Sequence, residues 1–374
     1  MLAAIAEREK YRKSLPTTMV MHEMVPPRKT FVRTRGVYDQ LGDAVDPGVP
    51  KALDTFRKGA PSEMSNRLDF ARWLVSENHP LTARVAVNRY WQRLFGYGLV
   101  RTPEDFGSQG QLPTHPELLD FLATTFVESG WDVKATLKKI VLSATYRQSS
   151  TWTANLLEND PENRHYARSP RHRLPAHVLR DQALTLGGLL VEKPGGPSVY
   201  PYQPPNIWKE IAMAGTYKNG KGEDLYRRSL YTIWKRSINP PVMAVLDAAN
   251  RESCVVVPKR TNTPSQALAL LNETAFVESA RNLAVRVLQE GAPEPQMHLF
   301  QIATGRKPTP RETEILSSAH AEYLADFQAA PEEAEKLLST GDSPVPAGID
   351  EVRAAALATL ANVILNLDET LTKP

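Results

Sequence analysis

Residues 80–96 read PLTARVAVNRYWQRLFG. Apolar residues and one asparagine recur here at intervals of three or four positions; they are Leu81, Val85, Asn88, Trp91 and Phe95. That spacing places them on one face of an α-helix, and Gly96 with Gly98 then supplies a helix stop. The stretch therefore predicts an amphipathic helix whose apolar face lies against a core.

The same periodicity recurs along most of the chain. Asn66, Pro116, Pro175 and the pair Thr263-Pro264 each precede an apolar run and predict a helix start. The predicted helices cover 1–15, 66–74, 81–95, 116–129, 132–144, 175–186, 264–289, 294–304, 311–328 and 349–367. So many helical patterns favour a mainly α fold.

Three short runs have the composition of strands. Residues 17–21, 30–33 and 229–234 are rich in β-branched or aromatic side chains. The chain also has 30 prolines, and the stretches 39–63 and 191–224 predict long loops. We expect a mainly α, irregular multi-helix domain with a few short β-strands and long Pro-rich loops.

The expected organisation has two parts. Residues 1–63 form an N-terminal extended segment with short strands and a loop, and residues 64–374 form the helical domain. The stretch 329–348 is acidic and contains proline and glycine, which predicts an exposed excursion from that domain.

Composition narrows the classes of function. The net charge is only +3 over 374 residues, which is too small to indicate nucleic-acid binding. Cys254 is the sole cysteine, so an intramolecular disulfide, a cysteine-rich zinc site and a c-type haem attachment motif are all excluded. We interpret Cys254 as a small buried hydrophobe rather than a nucleophile, and we expect neither a metal nor a cofactor in this chain.

No stretch approaches the ~20 apolar residues that a membrane span needs. Residues 1–15 mix Glu7, Arg8, Glu9, Lys10 and Arg12 into a helical pattern and lack the apolar core of a signal peptide. We expect either a cytoplasmic protein or a sequence that begins inside a longer chain.

The tract 164–181 is the densest basic segment. It holds three of the eight histidines, and His177 and Asp181 lie four residues apart, so they share a helical face. An anion site, a metal site or a general base held by a carboxylate would each fit. Pairing of Arg173, Arg180 and their neighbours with acidic helices would also explain the tract, and we favour that structural interpretation.

Other polar residues have structural explanations as well. Asn88 lies on an apolar helix face, where a buried amide needs partners, so it should tie its helix to a neighbouring backbone. Glu117 suits the positive end of its helix, and His115 two residues earlier faces another way. Gly195-Gly196-Pro197-Ser198 follows a helix, which predicts a sharp turn rather than a phosphate loop.

Two sets of candidate site residues follow. The candidate acid and base residues are His115, Glu117, Asp105, His177 and Asp181. The candidate ligand-binding residues are Arg28, Arg35, Asn88, Arg89, Trp91, Arg173, Arg180, Trp234, Lys235, Arg236, Asn262 and Gln266. Arginine suits bidentate capture of sulfate or carboxylate, tryptophan can stack on sugar faces, and the helix start at Pro264 could offer free N–H groups to an anion.

Many ordered motifs resemble one known family. They are Arg67-Leu68 to Trp73, Asn78 to Val85, Asn88-Arg89, Trp91, Phe95-Gly96, Gly98 to Val100, Asp105-Phe106-Gly107, His115 to Leu119, Thr145 to Ser150, Arg180-Asp181, Gly195 to Val199, Tyr226 to Tyr231, Trp234-Lys235-Arg236, Arg251-Glu252, Thr261 to Pro264, Gln266-Ala267-Leu268 and Asn362 to Glu369. Over about 17–371 the chain resembles the planctomycete-specific domain of unknown function that usually ends large extracytoplasmic proteins (DUF1553, PSD type).

The resemblance carries expectations about location and partners. Members of that family typically carry a cytochrome-c domain upstream, which implies an extracytoplasmic or periplasmic location and a cytochrome-c-type partner. Haem c is then expected only in an associated domain. His177 stands where the family usually has an acidic residue, so the resemblance assigns this position no role. The resemblance does not indicate which reaction, if any, the chain catalyses.

Two hypotheses for function remain. The first is a helical accessory or binding module that docks a redox partner or binds an anionic polysaccharide. The second is a carbohydrate-active enzyme domain, hydrolytic or oxidative, with a His/carboxylate pair in an Arg-lined cleft. We favour the first. Both require that helices distant in sequence gather guanidinium groups around a shared recess.

Overall fold

The structure is a computed structural model that describes residues 2–54, 66–204, 208 and 216–373. Within those residues it contains eighteen α-helices and two small antiparallel sheets of two strands each. The expected mainly α fold with a few short strands is therefore confirmed. None of the helices in these ranges is long and apolar enough to cross a membrane.

The α-helices are α1 (Leu2–Ser14), α2 (Lys51–Asp54), α3 (Arg67–Leu74), α4 (Thr82–Phe95), α5 (Pro116–Glu128), α6 (Val133–Val141), α7 (Ala144–Arg147), α8 (Ala154–Asn159), α9 (Ala176–Leu186), α10 (Glu223–Tyr226), α11 (Pro241–Val245), α12 (Pro264–Asn272), α13 (Thr274–Gln289), α14 (Pro295–Thr304), α15 (Pro310–Ala329), α16 (Pro331–Leu338), α17 (Glu351–Leu365) and α18 (Asp368–Leu371). The strands are β1 (Thr30–Arg33), β2 (Leu41–Val45), β3 (His172–Arg173) and β4 (Thr372–Lys373).

The chain divides into two compact units. The first comprises Met1–Val87 and Glu117–Val133, and the second comprises Asn88–Pro116 and Lys134–Pro374. This division differs from the boundary that we expected between residues 63 and 64. Its first break falls inside α4, since that helix runs without interruption through Val87 and Asn88.

The first unit contains a short hairpin. β1 pairs with β2, with Thr30 opposite Val45 and Phe31 opposite Ala44. The predicted strand at 30–33 is confirmed, whereas the one at 17–21 is wrong: that segment pairs with no strand among the described residues, and Met19 is fully exposed. The expected loop at 39–63 instead contains β2 and α2 up to residue 54; its residues 55–63 lie outside the described ranges.

The expected cap of α3 is present. The Asn66 side chain accepts a hydrogen bond of 3.0 Å from the Asp69 N–H. This satisfies one of the amide groups that a helix start leaves without an intrahelical partner. The cap fixes where α3 begins.

The core of the second unit forms where α13, α14 and α17 meet. Fully buried leucines supply most of its apolar side chains; they are Leu283, Leu299, Leu357 and Leu360. α17 also buries Ala354, Ala355 and Ala361, and small side chains let neighbouring helices approach closely. Each buried leucine contributes about 2 kcal/mol relative to leaving it exposed.

The single long helix expected over 264–289 is wrong, because it breaks at Glu273. This residue is extended (φ −73°, ψ 136°), and its carboxylate accepts a hydrogen bond of 2.9 Å from the Ala275 N–H. The side chain thus caps a new helix, α13, after α12 has ended. The Glu273 carboxylate takes a backbone N–H that a continuous helix would bond to a carbonyl, and this favours the break.

The segment 329–348 is not the exposed excursion that its acidic composition suggested. Residues Pro331–Leu338 form α16, and Ala334 and Leu338 are buried against Ala354 and Ala355 of α17. The helix is amphipathic, so its glutamates face solvent while its apolar side chains join the core.

The predicted strand at 229–234 is also wrong. Ser229–Tyr231 forms a 3₁₀ turn, followed only by an isolated bridge between Val199 and Thr232. The Arg180 guanidinium donates to the carbonyls of Leu225 (2.6 Å) and Arg227 (3.0 Å), and Asp181 accepts from the Ser229 N–H (2.7 Å). Of these backbone groups only the Ser229 N–H belongs to the segment. The N–H groups of Tyr231 and Thr232 bond to the carbonyls of Arg228 and Ser229 within the turn, so they cannot join a strand ladder.

The sharp turn expected at Gly195-Gly196 is confirmed, with φ of +79° and +86° at the two glycines. The Arg227 guanidinium donates to the carbonyls of Lys193 (2.7 Å) and Pro197 (3.2 Å) and also to that of Gly195. One arginine thereby holds both sides of the turn.

Asn88 binds the backbone, as the sequence predicts. Its amide donates to the Val100 carbonyl (3.0 Å) and accepts from the Val100 N–H (2.8 Å), and the side chain is completely buried. A Cβ added to Gly98 would lie 2.5 Å from the Asn88 amide nitrogen. The two residues together fold the chain back against the end of α4.

We predict that Asn88→Ala lowers the free energy of unfolding by about 2 kcal/mol, since it leaves both polar groups of Val100 buried without partners. Urea unfolding followed by circular dichroism measures the change. Arg89→Ala, on the exposed side of the same helix, is the control and should stay within about 0.5 kcal/mol of the wild type. An equal effect of the two substitutions would contradict this account.

Candidate functional site

A recess of about 210 Å³ lies in the second unit. Its lining comes from the last turn of α4, the start of α9, α11 with the residues after it, and the segment 251–260. The ionisable side chains at its surface are Arg93, Arg173, His177, Asp247, Arg251, Lys259 and Arg260. Five permanent cations therefore surround one carboxylate.

The carboxylate fixes the path of the chain around the recess. Asp247 follows α11 in a left-handed conformation (φ 64°). Its Oδ2 accepts hydrogen bonds from the N–H and the hydroxyl of Thr261, both 2.7 Å, and from the Gln266 amide (3.0 Å). Asp247 thus ties the segment that carries Lys259 and Arg260 to the end of α11.

Burial by itself would raise the pKa of Asp247, but the hydrogen bonds from Thr261 and Gln266 hold it below its ordinary value, and Arg173 lowers it further. The group is consequently an ionised structural anchor. It neutralises only a small part of the positive charge around it.

Trp234 supplies an apolar wall. Its indole N–H donates to Asn239 Oδ1 and to the Asn250 carbonyl, each at 3.0 Å. The Arg251 guanidinium lies over the ring, 4.3 Å from its centroid. Met243 and Leu246 of the neighbouring apolar cluster complete this wall. The recess therefore combines charged groups with a flat, apolar surface.

The five cations have few internal partners. Arg173 donates to Asn262 Oδ1 (3.2 Å), and its Nε and Nη2 atoms are buried without a hydrogen bond. Arg260 donates to the Gly96 carbonyl at 3.3 Å. Across the described ranges, none of the five forms an ion pair with a carboxylate.

Burial is the main cause of the pKa shifts of three groups at the recess. Burial lowers the pKa of Arg173 and of Arg260, and Arg93 lowers the pKa of Arg260 further. Partial desolvation lowers the pKa of His177; Asp181 opposes this, and nearby arginines reinforce it. A guanidinium stays charged at every accessible pH, so the recess keeps a positive field.

Other arginines of the second unit are bound differently. Arg168, Arg180, Arg227 and Arg281 are buried and donate to backbone carbonyls. Several at the surface pair with carboxylates instead, as in the ion pair between Arg306 and Glu369 (2.8 Å). The recess arginines have largely unused donors, and they differ from surface arginines that are unpaired within the described ranges, such as Arg89, because four of them line one cavity.

The structure brings three of the predicted site residues together, since Arg173, His177 and Trp234 line the recess. Asn262 reaches it indirectly through Arg173. The other predicted residues lie outside the lining, and several have defined structural roles.

Four of the predicted ligand-binding residues stabilise the fold. Asn88 and Arg180 bind backbone groups as described above, and Trp91 is buried and stacks on Phe95 with 4.1 Å between ring centroids. Gln266 is buried in a capping box with Thr263. That capping box occupies the first N–H groups of α12, which we had expected to be available to an anion.

The remaining ligand-binding candidates are exposed or already paired. Lys235 lies 3.8 Å from the centre of the Trp208 ring, and Arg236 pairs with Glu252 at 3.4 Å. Arg89 is exposed on α4, and Arg28 and Arg35 are exposed residues of the first unit.

The candidate acid and base residues do not gather at the recess. Asp181 binds the Ser229 N–H, and Asp105 accepts a hydrogen bond of 2.6 Å from the Gly107 N–H within its own loop. His115 lies beside Thr114 (3.1 Å), and Glu117 is an exposed residue at the start of α5. Only His177 of this set lines the recess.

Sequence reasoning missed five ionisable lining residues, namely Arg93, Asp247, Arg251, Lys259 and Arg260. Arg93 lies four positions after Arg89, so both occupy one polar face of α4, and that spacing was a usable signal. The other four lie in irregular segments, whose path the sequence pattern does not determine. Cys254 lies in the same segment and is exposed, so its interpretation as a buried hydrophobe is wrong.

Over the described part of the chain, no group of three or more histidine, cysteine, aspartate or glutamate residues is placed to hold a metal ion. The recess presents guanidinium, ammonium, imidazole and carboxylate groups beside an indole ring. Its cationic groups can bind an anion through charge-assisted hydrogen bonds.

Fold and recess together define a class: a mainly helical domain with a cation-lined recess and long, arginine-tied loops. The family whose description reads PSD1, protein of unknown function (DUF1553), matches residues 66–320, which is more than half of the chain. The chain belongs to this family. No curated protein and no solved structure matches it.

His172, next to the recess residue Arg173, gives a test of this electrostatic picture. Burial, reinforced by Arg260 and Lys373, lowers the pKa of His172 to about 4. In the unfolded chain the imidazole takes up a proton near pH 6.5. The folded state should therefore lose stability as the pH falls from about 6.5 towards 4, and the loss from this group ends below about 4.

We predict that the His172 ring signal in proton NMR stays that of a neutral imidazole at pH 5.5. His172→Phe identifies the signal. Titration of His172 near pH 6.5 in the folded protein would contradict the described burial.

Proposed function

We propose that this chain is a non-catalytic module that binds an anionic polysaccharide through the recess. The observation that carries the proposal is the set of five cationic side chains without an ion-pair partner in the described residues, gathered around one cavity. Arg173 and Arg260 are partly desolvated, and like charges around one cavity repel each other. A bound sulfate or carboxylate relieves that repulsion.

The chemistry favours an oxyanion carried on a ring. Each guanidinium presents a planar fork that matches two oxygens of sulfate or carboxylate. The Trp234 ring and the apolar wall suit the C–H face of a sugar. The volume of about 210 Å³ is below that of pockets that enclose a whole drug-sized ligand, which fits one unit of a chain that continues outside the recess.

The proposal includes a location and a partner. The family resemblance implies an extracytoplasmic setting, where structural polysaccharides occur, and an associated cytochrome-c-type domain that would hold haem c. An acidic redox partner that docks in the same recess is the alternative to the polysaccharide. Competition between a cytochrome and the glycan for binding to this chain would identify such a partner.

The alternative of a carbohydrate-active enzyme has less support. It requires an acid and a base in one cleft. His177 lines the recess, but the carboxylate there is Asp247, which three hydrogen bonds hold as an anchor. Asp181 is likewise occupied by the Ser229 N–H.

We predict that Arg173→Gln and Arg251→Gln each lower the affinity for a sulfated oligosaccharide about tenfold or more, because each removes a charge-assisted hydrogen-bond donor. Isothermal titration calorimetry at two salt concentrations measures the affinity. Both variants should also show a weaker salt dependence than the wild type.

Arg236→Gln is the matched control, since this arginine lies nearby in sequence to the recess residues but pairs with Glu252. It should bind as the wild type does. Failure of the wild-type protein to bind any member of a panel of sulfated glycans in a salt-sensitive manner would refute the proposed function.

We also predict that a bound anion raises the pKa of His177. In the free protein partial desolvation and the surrounding arginines depress it, and a nearby negative charge favours the protonated ring. Proton NMR titrations with and without a sulfated disaccharide measure this change. An unaltered His177 titration at saturating disaccharide would place the ligand elsewhere.

A further inference from the structure

Two further cavities adjoin the recess. The bridging cavity, about 160 Å³, is lined by Gln92, Arg93, Gly96, Tyr97, Val257, Pro258 and Arg260. It shares Arg93, Pro258 and Arg260 with the recess. The aromatic cavity, about 270 Å³, shares Gly96 and Tyr97 with the bridging cavity. The bridging cavity therefore shares lining residues with each of the other two cavities of the second unit.

Gly96 is the wall between the bridging and aromatic cavities. Its φ is +85°, and an added Cβ would lie 2.9 Å from Arg260 Nη1 and 3.3 Å from His172 Nδ1. Its carbonyl accepts the hydrogen bond from Arg260. Any larger residue would push against groups of both cavities, so glycine keeps the wall thin.

The aromatic cavity has two half-exposed rings, Tyr97 (55% exposed) and Trp152 (52% exposed). The Arg101 guanidinium lies 4.7 Å from the centre of the Tyr97 ring, and that of Arg168 lies 4.6 Å from the Trp152 ring. Since a guanidinium covers one face of each ring, the exposed area belongs to the other face and the edges.

The arginines behind these rings are fixed. Arg168 donates to the carbonyls of Asp160 (3.1 Å) and Pro161 (2.9 Å). Arg101 donates to the Glu162 carbonyl (2.9 Å) and to its carboxylate (3.1 Å). Both rings consequently rest on rigid supports, which reduces the entropy lost when a ligand stacks on them.

Charge distinguishes the aromatic cavity from the recess. In the aromatic cavity Arg101 pairs with Glu162, and Arg171 pairs with Asp368. In the recess the cations lack such partners among the described residues. The aromatic cavity thus suits the neutral, C–H face of a sugar, and the recess suits its anionic substituent.

We propose that the aromatic cavity is a sugar-stacking subsite, and that the three cavities together hold several consecutive units of one anionic polysaccharide chain. This inference rests on the proposed function and deepens it. A stacked sugar at Tyr97 and Trp152 continues through the bridging cavity to a charged unit in the recess. The ligand is therefore an extended chain rather than a single charged sugar.

The test compares sulfated oligosaccharides of one type, from the disaccharide to the octasaccharide, by isothermal titration calorimetry. Wild-type affinity should rise with length. Tyr97→Leu and Trp152→Leu should each lower the octasaccharide affinity about fivefold and leave the disaccharide affinity within about twofold. Tyr38→Leu, an 84% exposed ring of the first unit, is the control without effect. Unchanged thermal unfolding verifies the fold of each variant.

The outcomes separate this inference from the proposed function. Octasaccharide binding that depends on Arg173 and Arg251 but not on Tyr97 or Trp152 overturns the stacking subsite and leaves the recess as the binding site. Equal losses for disaccharide and octasaccharide in Trp152→Leu also overturn it, because the ring would then act on the recess itself. If the wild type binds no sulfated oligosaccharide, the proposed function fails and the subsite with it.

Discussion

Hydrogen bonds from buried guanidinium groups to backbone carbonyls are the interaction on which the loop-rich second unit depends. A buried loop carries polar backbone groups that no helix or sheet satisfies. Arg180 and Arg227 supply these groups around residues 193–229, and Arg281 does so at Leu338 and Ser343. Arginine suits this role because one planar group offers five donors in fixed directions. Loops can thereby pack against helices without forming strands.

The recess contains guanidinium groups too, but there they have few hydrogen-bond partners. Arg173 has one partner for a group that could serve several, and Arg251 rests on Trp234. Keeping such cations close together costs free energy that the helical core must offset. Strained or unpaired groups of this kind are expected where a ligand completes the arrangement. The proposed binding of an anion rests on these unused donors.

Local patterns predicted the helices well. The apolar stripe of α4, the caps at Asn66 and Thr263 and the glycine turn at 195–196 each depend on residues within a few positions. The wrong predictions of secondary structure concern segments that side-chain bonds and packing contacts shape. The segment 229–231 forms a 3₁₀ turn instead of a strand, and Asp181, nearly fifty positions earlier, takes the Ser229 N–H. The helix 264–289 breaks because the Glu273 side chain caps a second helix. The acidic stretch at 331–338 packs inward because α17 offers it a surface of small residues.

The candidate site was only partly visible for the same reason. Arg173, His177 and Trp234 lie near recognisable helix ends or motifs, whereas Arg251, Lys259 and Arg260 lie in an irregular segment positioned by Asp247 through Thr261. Hydrogen bonds between side chains and backbone groups of different loops produce no periodic pattern in the sequence. Conversely, Asn88, Arg180 and Gln266 were predicted to bind a ligand, but they bind backbone groups. A polar residue in an apolar pattern looks the same in the sequence whether its partner is a ligand or the backbone.

The anchoring of the segment 251–260 has an evolutionary consequence. It supplies three of the five recess cations, yet it contributes none of the residues of the main helical core. Under the proposed function, substitutions there alter which ligand is preferred and leave the residues of the main core unchanged. Divergence of specificity among relatives should concentrate in this short stretch, and exchanging it between two of them is the most economical way to transplant a preference.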